Sequence, residues 1–105
     1  MVSSEDILKH WGLMRSYQKH KDQLLGLATQ FYLRLCCANQ GLPAITAGTY
    51  YREFASFLAI HPLFTVTIMQ REKPHILPSL YPALSKYLVR YMIEQHWHDI
   101  ASYPC

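Results

Sequence analysis

The sequence has few glycines, and they are not clustered. The four glycines in 105 residues stand at Gly12, Gly26, Gly41 and Gly48. A loop that cradles phosphate groups needs neighbouring glycines, so that several backbone N–H groups can approach the anion. Nucleophile-elbow and zinc-protease patterns are also missing. The sequence therefore excludes the common nucleotide-binding loops, and we expect neither a cofactor nor an enzymatic activity.

Cysteine is scarce as well. The three cysteines, Cys36, Cys37 and Cys105, are odd in number, and two are sequence neighbours. A disulfide framework cannot be built from such a set. Cys36 and Cys37 lie near the predicted C-terminal end of a helix, where the dipole disfavours a thiolate. We interpret them as small apolar residues, and Cys105 as part of a tail.

The chain also lacks a segment suited to export or to membrane insertion. Glu5 and Asp6 lie where the apolar part of a secretory signal would have to be. Two long uncharged stretches, residues 35–51 and 54–70, contain polar residues and prolines that a membrane span would not tolerate in that number. We therefore expect a cytoplasmic protein with no membrane partner.

The composition is otherwise that of a folded chain. Half of the residues are hydrophobic, 13% are aromatic and 16% are charged. Ten Lys and Arg against seven Asp and Glu give a formal net charge of +3, which is small for a dedicated nucleic-acid binder. A chain of this length has room for one hydrophobic core, so we predict one domain over residues 1–105.

The first third of the chain has the pattern of an amphipathic helix. Ser3 or Ser4, followed by two carboxylates, indicates a helix start. Apolar residues then recur mostly at spacings of three, four or seven, on one helical face. They are Ile7, Trp11, Met14, Tyr17, Leu24, Ala28, Phe31 and Leu35. The polar run 18–22 interrupts them, so residues 4–38 form either one long helix or two that meet at a kink. Residues 39–43 carry the stop signal.

Further helices are indicated downstream. Residues 42–48 read as a linker, and a helix then begins near Thr46 or Thr49 and ends at His61-Pro62. The segment Phe64–Met69 alternates like a half-buried strand. A lone strand leaves its backbone groups unpaired, so we favour a short helix with Pro62 as its first residue.

The last part of the chain predicts a connector over residues 71–78 and then another long helix. Ser79 is expected to cap this helix, which has Pro82 in its first turn and continues to about Ile100, with a tail at residues 103–105. The fold prediction is therefore all-α: a single small domain of four or five helices, with a long N-terminal helix, kinked or not, and a long C-terminal helix.

The motif His96-Trp97-His98 invites comparison with a metal site. Residues two apart on a helix point in different directions, whereas two ligands on one helix need a spacing of three or four. We therefore expect no metal ion here. The two histidines are interpreted as solvated or capping residues whose positive form the helix C-terminus favours.

Tyrosine is the most unusual part of the composition, with eight residues. A tyrosine buries a large ring and keeps its hydroxyl in water, which suits the edge of a core or a protein interface. On the last helix, four side chains that suit an interface approach one side. These candidate interface residues are Tyr87, Arg90, Tyr91 and His98.

The stretch from Arg52 to Val66 resembles the helix-turn-helix of bacterial and phage regulators. In that family an Ala in the first helix is followed four residues later by a small residue and then by an aliphatic one; here Ala55, Ala59 and Ile60 stand in those places. The resemblance implies that the following segment would contact DNA. The polar side chains available there are Thr65, Thr67, Gln70, Arg71 and Lys73.

Two functional hypotheses remain. The first is a small non-enzymatic helical protein that binds another protein, or a second copy of itself, as an accessory, adaptor or inhibitor factor; few charges and many aromatic residues are typical of interface cores. The alternative is a helix-turn-helix transcriptional regulator that binds DNA through the segment Arg52–Lys73.

Overall fold

The computed structural model describes residues 2–38 and 46–103, which form helices joined by short turns and contain no strand. The four α-helices are α1 (Ser4–His10), α2 (Met14–Ala38), α3 (Ala47–Ile60) and α4 (Tyr81–Ala101). A π-helix, Leu63–Glu72, and a 3-10 turn, Pro78–Leu80, lie between α3 and α4. The prediction of an all-α domain with a long N-terminal and a long C-terminal helix is confirmed.

Helix α1 begins where the sequence predicts and ends at a glycine that the prediction overlooked. The hydroxyl of Ser3 accepts a hydrogen bond from the Asp6 backbone N–H at 3.2 Å. At the other end, Gly12 has a φ of 68°, which favours a residue without a Cβ. The Gly12 N–H donates to the Lys9 carbonyl and the Leu13 N–H to the Leu8 carbonyl. This is the Schellman arrangement, so α1 and α2 are separate helices.

Helix α2 has its own kink, inside the polar run that interrupts the apolar stripe. His20 has φ −106° and ψ 15°, which are not helical values. Residues 4–38 are thus two helices separated at Gly12, and the second of them bends at His20. The predicted stop signal at residues 39–43 lies outside the described residues, as do Pro104 and Cys105 of the predicted tail.

Helix α3 follows its local signals. The Thr46 hydroxyl accepts from the Thr49 N–H at 3.2 Å and caps the helix, which ends at His61 as predicted. The predicted linker over residues 42–48 extends two residues too far, because Ala47 and Gly48 already belong to α3.

Residues 64–69 are helical, as we favoured, but with the wider π spacing. Pro62 occupies the N-cap position rather than the first turn. Phe64, Ile68 and Met69 are fully buried, while Val66 is 43% exposed. In a strand, side chains two residues apart share a face, so Val66 would have been buried together with Phe64 and Ile68. The element also extends through Glu72, so the predicted connector at residues 71–78 begins two residues later than expected.

The start of α4 differs from the prediction. Ser79 does not cap it; this residue lies within the 3-10 turn, and the N-cap position is held by Leu80 without a side-chain hydrogen bond. Pro82 stands in the first turn, as predicted. Helix α3 packs antiparallel to α4, and the buried Ser85 hydroxyl donates to the Ala55 carbonyl at 3.1 Å.

The helices enclose one hydrophobic core. Tyr50, Phe54 and Phe64 are among its largest fully buried side chains. The Tyr50 hydroxyl donates to the Ala28 carbonyl at 2.6 Å, which joins α3 to α2. Four residues of the predicted N-terminal stripe pack against the core without being fully enclosed by it. They are Trp11, Met14, Phe31 and Leu35.

Candidate functional site

A surface groove of about 630 Å³ lies between the N-terminal end of α1 and the middle of α4. It is lined by Val2, Ser3, Ser4, Ile7, Tyr87, Arg90 and Glu94. A second depression of about 280 Å³ lies between α3 and α4. It is lined by Ala47, Gly48, Tyr51, Arg90, Ile93 and Glu94. Because Arg90 and Glu94 line both, the two depressions adjoin, and we call them together the α4 groove.

The α4 groove combines apolar surface with one ion pair. Arg90 Nε lies 3.2 Å from Glu94 Oε1, and the two side chains are 57% and 53% exposed. Such an exposed pair, one helical turn apart, contributes only about 0.3–0.5 kcal/mol to stability. The apolar surface includes Val2, which is 68% exposed, and the half-buried Tyr87. The charges are therefore available to a bound partner at little cost to the fold.

Two of the four predicted interface residues lie in this groove. Tyr87 and Arg90 line it, whereas Tyr91 is half-buried and its ring meets that of Tyr17 edge to face at 5.3 Å. His98 is exposed, but it lies eleven residues beyond Tyr87, about 16 Å further along α4. The structure therefore brings Tyr87 and Arg90 together and leaves His98 apart from them.

Tyr17, beside Tyr91, carries an unusual buried hydroxyl. The Tyr17 side chain is 4% exposed, and its hydroxyl has no hydrogen-bond partner among the described residues. Burial, with a smaller contribution from Tyr91, raises the pKa of Tyr17 to about 12. An unpartnered buried hydroxyl reduces stability, since it loses water without gaining a partner.

A polar cluster centred on Glu72 joins the end of the π-helix to α2. His20 Nε2 lies 2.8 Å and Lys19 Nζ 3.1 Å from Glu72 Oε1. The hydrogen bond from His20, followed by those from Ser16 and Lys19, lowers the pKa of Glu72 from 4.5 to about 2. Glu72 is therefore an anion held by three donors. No local pattern predicted this cluster, because its members are more than fifty residues apart.

The cluster has the residue types of a catalytic dyad but not its geometry. His20 Nε2 faces Glu72, and Nδ1 lies 3.2 Å from Gln23 Oε1. A general base needs a nitrogen within reach of a substrate proton. Both ring nitrogens of His20 are directed at protein groups, so the arrangement fixes the kinked segment of α2 rather than exposing a base.

The five candidate DNA-contacting residues lie on or just after the π-helix, with unequal exposure. Thr65 is half-buried, and its hydroxyl donates to the His61 carbonyl at 3.1 Å. Thr67 and Lys73 are also half-buried, whereas Gln70 and Arg71 are exposed. Gln70 and Arg71 are therefore the candidates with the freest access to a partner.

The structure of this stretch agrees only in part with the helix-turn-helix pattern that its sequence resembles. Ala55 is buried against α4, as expected of a packing position. Ala59 and Ile60 still belong to α3, and the turn is formed by His61 and Pro62. Ile60 is 79% exposed, so it does not hold the two helices together.

The paired histidines differ from each other. His98 is exposed, as predicted. At His96, by contrast, burial and the charge of Lys21 lower the pKa, although Asp99, 3.9 Å from Nδ1, opposes this. The expectation of a solvated histidine in its positive form therefore does not fit His96, because burial disfavours the charged ring.

Residues 2–38 and 46–103, which the structure describes, contain no group of three or more His, Cys, Asp or Glu side chains that could hold a metal ion. Cys36 is half-buried, packs against the core and forms no disulfide there. The side chain of Cys37 lies outside the described residues. In the same ranges, no helix is long and apolar enough to span a bilayer.

Sequence reasoning missed several groove residues. Glu94 could have been found, since it stands four residues after Arg90 on the same helix. Val2 and Ile7 could not, because their place beside Tyr87 depends on how α1 docks on α4.

Comparison with known proteins adds no assignment: no family model matches the chain, and neither the curated proteins nor the solved structures contain a significant match.

Proposed function

We propose that this protein acts without catalysis, as a small cytoplasmic accessory, adaptor or inhibitor factor that binds another protein through the α4 groove. The observation that carries the proposal is the position of Tyr87 and Arg90 in one groove with the exposed Val2. Tyrosine and arginine are enriched among the residues that contribute most to protein–protein affinity.

The character of the groove favours a protein partner over a small ligand. A small-molecule site usually encloses most of its ligand and presents convergent polar groups from a buried wall. Here the charged groups, Arg90 and Glu94, are more than half exposed and paired with each other. An open surface that combines apolar side chains with an exposed ion pair matches a protein interface better.

The experiment compares partner capture and thermal melting on the same variants, with nuclease-treated lysate as the source of partner. Tyr87→Ala should leave the melting temperature nearly unchanged and weaken capture by about 2 kcal/mol or more if Tyr87 is a hot spot. Tyr91→Ala should lower the melting temperature more, because Tyr91 packs on Tyr17. Tyr103→Ala, at an exposed position beyond α4, is the control that should retain capture.

Two results would overturn the proposal. Capture that is equally strong for Tyr87→Ala and Tyr103→Ala would remove the groove from the interaction. Melting of Tyr87→Ala as severe as that of Phe54→Ala, at a fully buried position, would show that Tyr87 belongs to the interior. Analytical ultracentrifugation of the same variants tests whether the partner is a second copy: a dimer that Tyr87→Ala dissociates identifies it.

Duplex DNA is the second candidate partner, favoured by the exposed Arg71, which stands two residues before Lys73 in the chain. A protein that neutralises several phosphates shows a steep linear loss of log affinity with log salt. We expect weak or absent binding. Micromolar binding whose salt slope is flattened by Arg71→Ala with Lys73→Ala would reverse the order of the two hypotheses.

A further inference from the structure

Four basic side chains stand on the two segments that Glu72 joins, the start of α2 and the end of the π-helix, and we call them the basic ridge: Arg15, Lys19, Arg71 and Lys73. Lys19 contacts Glu72 directly, at 3.1 Å. Arg71 and Lys73 flank Glu72 in the chain, and Arg15 precedes Ser16, which hydrogen-bonds to Glu72.

The basic ridge carries the whole formal net charge of the protein. The chain has ten Lys and Arg and seven Asp and Glu. Four of these bases and one of these acids belong to the ridge, and the remaining six bases and six acids cancel. These four bases and Glu72 therefore sum to +3, the formal net charge of the chain. A local excess of this kind attracts anions and increases their rate of association.

The ridge is held in place by the fold. The cluster of Ser16, Lys19 and His20 around Glu72 fixes the end of the π-helix on α2. Lys73 Nζ lies 3.1 Å from the point that a Cβ on Gly12 would occupy, so the ammonium group rests on the α1–α2 turn. Among the described residues, Arg15, Arg71 and Lys73 form no ion pair with an acid. These three cations are thus available to a partner, and Lys73 among them is held against the α1–α2 turn.

The basic ridge and the α4 groove lie at opposite ends of α1. Ser3, Ser4 and Ile7 belong to the groove, and Gly12 lies beneath Lys73. The seven residues of α1 span about 10 Å, a distance that three or four residues of extended chain cover. One continuous segment of a partner can therefore reach both surfaces.

We propose that the basic ridge binds an acidic segment of the same protein partner that docks in the α4 groove. The inference rests on the proposed function, to which it adds the charge of the partner. An acidic polypeptide fits this surface better than nucleic acid does. Glu72 repels a phosphate that is placed beside it, and the Thr65 hydroxyl already donates to the His61 carbonyl. Carboxylates on a flexible chain can bind the arginines bidentately while staying away from Glu72, whereas the phosphates of a rigid duplex have fixed spacings.

The test uses a fluorescein-labelled peptide of ten glutamates, a Gly-Ser peptide of equal length and a short DNA duplex, measured by fluorescence anisotropy at low and at physiological salt. We expect binding of the glutamate peptide at low salt. Arg71→Gln with Lys73→Gln should weaken it about tenfold, the value for two exposed ion pairs. Arg52→Gln with Lys86→Gln removes the same charge from exposed positions on α3 and α4 and should change affinity less than twofold.

Each alternative outcome overturns the inference. Equal losses in the two double variants would mean attraction by net charge alone, and no binding of the glutamate peptide would mean no site. Tighter binding of the duplex would assign the ridge to nucleic acid. If Lys73→Gln lowers the melting temperature, Arg71→Gln alone, at an exposed position, replaces the double variant. Tyr87→Ala should bind the glutamate peptide normally, so failure of the groove and failure of the ridge are separable.

Discussion

Replacing Glu72 by Gln tests the polar cluster that holds the π-helix on α2. The substitution preserves the shape of the side chain and removes its charge. The difference between the ordinary pKa of 4.5 and the value of about 2 in the folded protein sets a ceiling of about 3 kcal/mol on the contribution of the charge to stability. The side chain is 21% exposed, so solvent weakens these contacts, and we expect a loss of about 1–2 kcal/mol at neutral pH.

The stability that the Glu72 charge contributes depends on pH. Because the pKa of Glu72 is lower in the folded protein than in the unfolded chain, its stabilisation is fully present above pH 4.5 and is lost as the pH falls towards 2. Urea denaturation of the wild type and of Glu72→Gln should therefore give free energies of unfolding that differ at neutral pH and converge in acid.

The control for this experiment is Glu53→Gln. Glu53 is exposed on α3 and forms no ion pair among the described residues, so its replacement should change stability little at any pH. A difference between Glu72→Gln and the wild type that is equally large at neutral pH and near pH 2 would show that packing, and not the charge of Glu72, sets the effect. The reasoning about the cluster would then be refuted.

Five further substitutions have defined expected effects on urea denaturation. Tyr50→Phe should cost about 1 kcal/mol, because it removes a buried hydrogen bond, whereas Tyr17→Phe should be neutral or stabilising, because it removes an unpartnered hydroxyl. Equal losses in both would contradict the assignment. Phe54→Ala should cost about 3–5 kcal/mol, and Phe31→Ala less, since Phe31 is only half-buried. Gly12→Ala should cost about 1–2 kcal/mol for its positive φ, and an unchanged stability would be inconsistent with that conformation.

Helix starts that depend on one side chain were predictable from the sequence. Ser3 and Thr46 each accept a hydrogen bond from an N–H three residues later, and such a bond depends on residues close in the chain. Ser79 has the same chemistry, but a 3-10 turn precedes α4 and moves the start of the helix beyond it. A capping residue is therefore predicted correctly from the sequence only where no helical turn lies directly before the helix and shifts its start.

The break at Gly12 was missed although its signal is present in the sequence. A single glycine in an apolar helical pattern costs only about 1 kcal/mol, so it can be read as tolerated. The decisive feature is the pair Leu8 and Leu13, which are fully buried and flank the glycine at the spacing of a Schellman motif. The contacts of Glu72, by contrast, could not be predicted, since they cross more than fifty residues of chain.

Gly12 connects the two candidate surfaces. Its positive φ ends α1 and turns the chain into α2, and α1 packs on α4, where Ile7 lines the groove beside Tyr87. Its missing side chain leaves the space in which the Lys73 ammonium group rests. One backbone position therefore supports both the apolar groove and the basic ridge. A helix that continued through residue 12 would have neither surface in its present form, and this is why the function proposed here depends on a break that the apolar periodicity alone conceals.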